Sequence, residues 1–106
     1  MMDPSAAIEA SVRLLVEAAN PRRIILFGSH ARGAANATSD IDLLIVFDRV
    51  TSRRAETVHL LDVLRPLRIP VDVVVVSEES LREWGAIAGT IYHEALTAGR
   101  VLYEAA

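Results

Sequence analysis

The chain has 106 residues, 14 acidic and 11 basic side chains for a net charge of -3, and no cysteine. That fits one domain spanning residues 1–106 and excludes disulfides and cysteine-ligated metals. Hydrophobic residues make up 52% of the chain, too many for disorder, and the acidic balance argues against direct nucleic-acid binding.

Along the chain, Asp3-Pro4 reads as an N-cap followed by proline at the first helical position, and Ile8, Val12, Leu15, Val16 and Ala19 form an apolar stripe at helical spacing. Asn20-Pro21 ends that helix. Arg23 to Phe27 reads as a short strand, Gly28-Ser29 turns the chain, and "HARGAA" suits a helical turn closed by Gly33. "NATSD", residues 36–40, has loop chemistry. Ile41 to Phe47 is apolar on both faces beyond Asp42 and belongs in the middle of a sheet. Thr51 to Leu67 carries Val58, Leu61 and Leu64 at helical spacing. Val71 to Val76 is a further strand, apolar except for Asp72. Ser77 caps a helix bearing Leu81, Trp84 and Ile87, which Gly85 and Gly89 separate from a last helix, Thr90 to Ala98. Gly99 suits a C-cap, and "RVLYE" adds an edge strand. The expected class is α+β, a small mixed β-sheet with helices packed on it.

No apolar run reaches the ~18 residues of a membrane span. The acidic, amphipathic N-terminal segment does not read as a signal peptide, so a cytoplasmic protein without membrane association is expected. All 11 basic residues are arginine, so no lysine nucleophile or phosphate-loop lysine exists.

The chemistry concentrates in the acids. Asp40 and Asp42 lie two apart and project together from the mouth of a strand. Asp72 opens its strand as Asp42 does. If those strands are parallel neighbours, the three carboxylates converge and need a cation between them. Magnesium suits oxygen ligands, and two such ions would form the clamp used in phosphoryl or nucleotidyl transfer. Gly28 lets backbone approach a phosphate, and Ser29 can cap the helical turn whose free N–H groups attract anions. An antiparallel first strand would set this turn beside the acids.

Taken together, "GSHARGAANATSDIDLLIVF" and the later "VDVVVV" resemble the DNA polymerase beta-type nucleotidyltransferase superfamily: G-S, ten residues, D-x-D, then a strand aspartate. The wording "GSHARG…SDIDL" is similar to the minimal nucleotidyltransferases of prokaryotes, the MNT family, over nearly the whole chain. The resemblance implies the polymerase beta-like fold, ATP as substrate and two Mg2+ ions held by Asp40, Asp42 and Asp72, with Asp72 also helping to activate the attacking hydroxyl. It implies phosphate binding at Gly28 and Ser29. Arg32 and Ser39 join these as candidate nucleotide-binding residues, although Arg32 also suits an ion pair holding the loop and Ser39 a turn. It further implies a HEPN-type RNase toxin as partner, an antitoxin role and, in some members, AMP transfer to a tyrosine of that partner.

A second reading makes the chain a non-catalytic antitoxin that covers its partner, with Trp84, Ile87, Ile91, Leu96 and Leu102 as the apolar surface. A third is a small-molecule nucleotidyltransferase whose acceptor domain lies on another chain. His59 and His93 lack metal-ligand spacing and read as structural, and His30 as a solvated turn residue.

Overall fold

In the computed structural model, which describes residues 3–36 and 39–106, four strands form one mixed sheet in the order β3-β2-β1-β4. Helix α1 (Pro4–Ala19) leads into β1 (Arg23–Phe27), the short α2 (Ser29–Arg32) and β2 (Ile41–Phe47). Helix α3 (Arg53–Leu64), a 3-10 turn (Arg65–Leu67) and β3 (Val71–Ser77) follow, then α4 (Glu78–Gly85), α5 (Ile91–Ala98) and β4 (Arg100–Glu104). The expected α+β architecture is present. Part of the loop expected over residues 36–40, Ala37 and Thr38, lies outside the described residues. Among the described residues, no helix is long and apolar enough to cross a membrane.

Strand β2 sets the geometry. It pairs antiparallel with β1 and parallel with β3, so both its edges are hydrogen-bonded. Its alternate residues feed two cores. Ile41, Leu43, Ile45 and Phe47 pack with Ala7, Ile8 and Leu15 of α1 and Leu60 and Leu64 of α3. Leu44 and Val46 pack on the other face with Leu81 of α4 and Ala95 of α5. The sheet is thus sandwiched between α1/α3 and α4/α5. Asp42 falls on the α4/α5 face by the same alternation, as does Asp72 through its register with Asp42.

Local signals start and stop the helices as the residues dictate. Asp3 accepts from the Ala6 N–H at 2.8 Å and caps α1, whose end is closed by Asn20 in the left-handed region at φ 48°. Ser77 caps α4 through the Ser80 N–H at 3.1 Å, and Thr90 caps α5 through the His93 N–H at 3.1 Å. His93 Nδ1 donates to the Gly85 carbonyl at 2.9 Å and joins α5 to α4. A two-point ion pair, Arg23 to Glu78 at 2.9 and 3.2 Å, fastens the start of α4 to β1.

Three expectations need correction. Helix α3 turns Leu60 and Leu64 inward, while Val58 and Leu61 are 54% and 39% exposed. Two stripes satisfy helical spacing there, and the sheet selects the one containing Leu60. Ile87 lies beyond α4, which ends at Gly85, and Trp84 and Ile87 are each 49% exposed, as the second reading needs, while Leu81 is buried. Gly28, not Ser29, is the N-cap of α2; Ser29 is its first helical residue. Gly99 is the C-cap of α5, as its position suggested, with an extended backbone. Glycine is needed there because a Cβ would lie 2.2 Å from the Ala95 carbonyl and 2.8 Å from that of Leu26. That close approach lays the last turn of α5 against β1.

The two stripes of α3 are separable by experiment. Leu60→Ala removes a side chain with no exposure and should cost about 2–5 kcal/mol in urea unfolding, whereas Leu61→Ala should cost under about 1 kcal/mol. Equal losses would show that α3 does not sit as described.

Candidate active site

The sheet register brings the acids and the glycine turn together. Phe27, the last residue of β1, is opposite Asp42, and Asp42 is beside Asp72 in the parallel pair. Side chains paired in register share a face, so Asp42 and Asp72 project side by side. Asp40 lies two residues upstream of Asp42, exposed, just outside β2. Gly28 follows Phe27 at φ +75°, a conformation that favours glycine, and a Cβ there would stand 2.2 Å from Asp42 Oδ2. The backbone at Gly28 therefore lies directly against the Asp42 carboxylate. A Cβ there would have to push the Asp42 carboxylate aside.

The electrostatics follow from that crowding. Partial burial, then the negative charges of Asp72, Asp40 and Glu94, push the Asp42 carboxyl above its ordinary value, and His30 opposes them. Carboxylates without a cation among them favour water over one another. Among the described residues, no group of three or more Asp, Glu, His or Cys side chains is placed to hold a metal ion, so the acids are neighbours and not an assembled ligand set.

Arg32 makes the ion pair that its position allowed. Its Nη1 donates to Glu94 Oε2 at 2.9 Å, and the same oxygen accepts from the Gly28 N–H at 3.1 Å. Ser39 is engaged in its own loop: its hydroxyl accepts from the Asn36 N–H at 3.0 Å and donates to Asn36 Oδ1 at 3.3 Å. His30 Nε2 donates to the Ser39 carbonyl at 3.1 Å and so ties α2 to the segment that leads into Asp40. Gly33, at φ +72°, ends α2 as its sequence position suggested. Ser29 sits immediately after Gly28, half-buried.

The sequence reading missed Glu94. It lies 66 residues from Gly28, and locally it is only an acid in the first turn of α5, a position that the helix dipole favours anyway. Its approach to Gly28 depends on how α5 lies along β1.

Comparison with known proteins gives four findings. The family model described as "Nucleotidyltransferase domain" matches residues 10–96. The "Putative protein adenylyltransferase MJ0604" of Methanocaldococcus jannaschii is 35% identical over 86 residues, covering 77% of this chain and 78% of that protein. Among solved structures, a toxin-antitoxin with AMP-PNP superposes with a TM-score of 0.67 at 23% identity, over 97% of this chain and 75% of that one. A chain of the complex of tri-AMPylated Shewanella oneidensis HEPN toxin with MNT antitoxin superposes with a TM-score of 0.62 at 20% identity, over 95% and 72% of the two chains. These two likenesses are of fold.

The raised Asp42 pKa has a consequence for stability. A carboxyl that titrates higher in the native state binds more protons there than in the unfolded chain between the two values, so stability falls as pH rises through that interval. The destabilisation is fully present above the native value and absent below the ordinary value of 3.8. Asp42→Asn should therefore melt a few degrees higher than the native sequence at neutral pH, with the two melting curves converging as pH falls toward 3.8. A lower melting temperature for the variant at neutral pH would contradict the crowding described.

Proposed function

Because the chain belongs to the nucleotidyltransferase domain family, we propose that it transfers AMP from ATP, with magnesium, to a hydroxyl on a HEPN-type RNase partner and serves as that partner's antitoxin. The observation that carries this reading is the register that sets Asp42 beside Asp72 and against Gly28. The relative named as a protein adenylyltransferase and the AMPylated toxin complex support the direction of transfer. A tyrosine is the acceptor we favour, and residues 1–106 act as one domain.

Carboxylate oxygens are the donors that a hard divalent cation takes. Asp42 and Asp72 offer carboxylate oxygens from one face of adjacent strands, Asp40 supplies a third from the loop, and the mutual repulsion at Asp42 is relieved by positive charge. Mg2+ held by these three residues would screen the phosphate oxygens and lower the barrier to in-line displacement, in the two-ion form where both positions fill. Gly28 and Ser29 receive the phosphate chain through backbone groups, and Arg32 adds a guanidinium to it. Asp72 accepts the proton of the incoming hydroxyl. The hydroxyl oxygen bonds to the α-phosphorus, the bond from that phosphorus to the bridging oxygen breaks, and pyrophosphate leaves. Ser39 acts mainly on the loop that carries Asp40.

A second reading rests on an observation of its own. Trp84, Ile87, Ile91 and Leu96 of the α4/α5 layer are each between 43% and 49% exposed, an apolar surface suited to covering a partner. Neutralisation by burial alone would not need the acids.

The two readings diverge in one experiment. Incubated with its HEPN-type partner, ATP and Mg2+, the native chain should add whole AMP masses to the partner by intact mass spectrometry. Asp72→Asn should slow the addition about 10²–10⁴-fold. Partner neutralisation that persists undiminished in an Asp40→Asn, Asp42→Asn double variant would favour the second reading.

A further inference from the structure

Glu94 stands where an anionic ligand would stand. Its Oε2 takes two donors at once, the Gly28 N–H at 3.1 Å and Arg32 Nη1 at 2.9 Å. These are the donors that the proposed function assigns to phosphate. Its charge adds to a neighbourhood that already holds Asp40, Asp42 and Asp72. A fourth negative charge in that company is unfavourable, so its presence calls for a reason.

Seating α5 is not that reason. The helix is fixed by Ala95 in the core, by the close passage of Gly99 against Leu26 and by the His93 bond to Gly85. The Arg32–Glu94 pair is itself a surface feature, its side chains 51% and 38% exposed, so water and salt weaken it. Such a bond breaks readily. A polyphosphate offers Arg32 more charge and a better match to its fork of donors than one carboxylate does.

We infer that Glu94 is an internal stand-in for a nucleotide phosphate: it holds the Gly28 N–H and Arg32 until the phosphate chain displaces it and takes over both. This rests on the nucleotidyltransfer reading above. The contact keeps Arg32 folded over the glycine turn, ready for the ligand, and it lowers affinity by the work of expelling the carboxylate. It also links occupancy of the turn to the α5 helix, because a displaced Glu94 must swing out to solvent from the first turn of α5.

The test is calorimetric titration of the full chain with a nonhydrolysable ATP analogue and Mg2+, for the native sequence, Glu94→Gln, Arg32→Ala and the double variant. Glutamine keeps the shape and removes the charge. Glu94→Gln should bind about three- to tenfold tighter, with the advantage shrinking as salt rises. Arg32→Ala should cost more affinity in the Glu94→Gln background than in the native one, because Arg32 there leaves no charged partner behind. Loss of a nearby negative charge alone would also tighten binding, but it would leave the cost of Arg32→Ala the same in both backgrounds, and that result overturns the inference. Equal or weaker binding by a folded Glu94→Gln protein, with the native chain still binding, overturns this inference and leaves the proposed function standing. A Glu94→Gln chain that fails to fold assigns the carboxylate to structure and overturns it equally. Absence of binding by the native chain and by Glu94→Gln alike overturns both.

Discussion

Strand β2 is hydrogen-bonded along both edges, and its register carries everything at the site. Antiparallel pairing with β1 puts Asp42 opposite Phe27, the residue before Gly28. Parallel pairing with β3 puts the same residue beside Asp72. Side chains alternate across a strand, so a slip of one residue would drive Asp42 into the α1/α3 core and expel a leucine from it. Burying an unpaired carboxylate among Leu15, Leu60 and Leu64 is prohibitively costly, and since Leu43 to Phe47 are apolar on both faces, it is Asp42 that forbids the slip. Burial on both faces thus holds the strand in the sheet, and Asp42 fixes the register that places the acids.

The strand ends, by contrast, are held against electrostatic opposition. Asp42 is partly buried beside two aspartates and near Glu94, and burial first, then those charges, raise its carboxyl above the ordinary value. Acids kept together without a cation reduce stability, which is the usual relation between a prepared site and the scaffold that supports it. The surrounding structure supplies the compensation. Arg23 and Glu78 clamp β1 to α4, and the two cores of the sheet close above and below. At Gly28 the conformation and the close approach of Asp42 both demand glycine, so the position is fixed twice over.

Much of this was legible in the residues. The strands at 23–27 and 41–47 follow from short apolar runs bounded by Pro21, Gly28, Asp40 and Asp48, and the caps at Asp3 and Ser77 read directly from local chemistry. The spacing of Gly28, Asp42 and Asp72 sufficed to expect their meeting. What could not be read were choices that only tertiary packing makes. Helix α3 offers two stripes of similar apolarity, and nothing local prefers Leu60 over Leu61. Trp84 suits a core by its size but faces outward, because Leu81 already fills the space beneath α4. Glu94 reaches Gly28 through the path of a whole helix, set in turn by Gly99 passing close to two carbonyls. A contact over such a separation leaves no trace in a window of ten or twenty residues.

The central claim is that the acids of β2 and β3 and the turn at Gly28 form one nucleotide-metal site. Paramagnetic broadening tests it most directly. Mn2+ with ATP, titrated into the isotopically labelled chain, should first extinguish the backbone amide signals of Gly28, Ser29, Asp42 and Asp72, while those at the far end of the sheet, Phe47, Ser77 and Glu104, persist. Broadening centred on that far end, or spread evenly over the surface, would contradict the account.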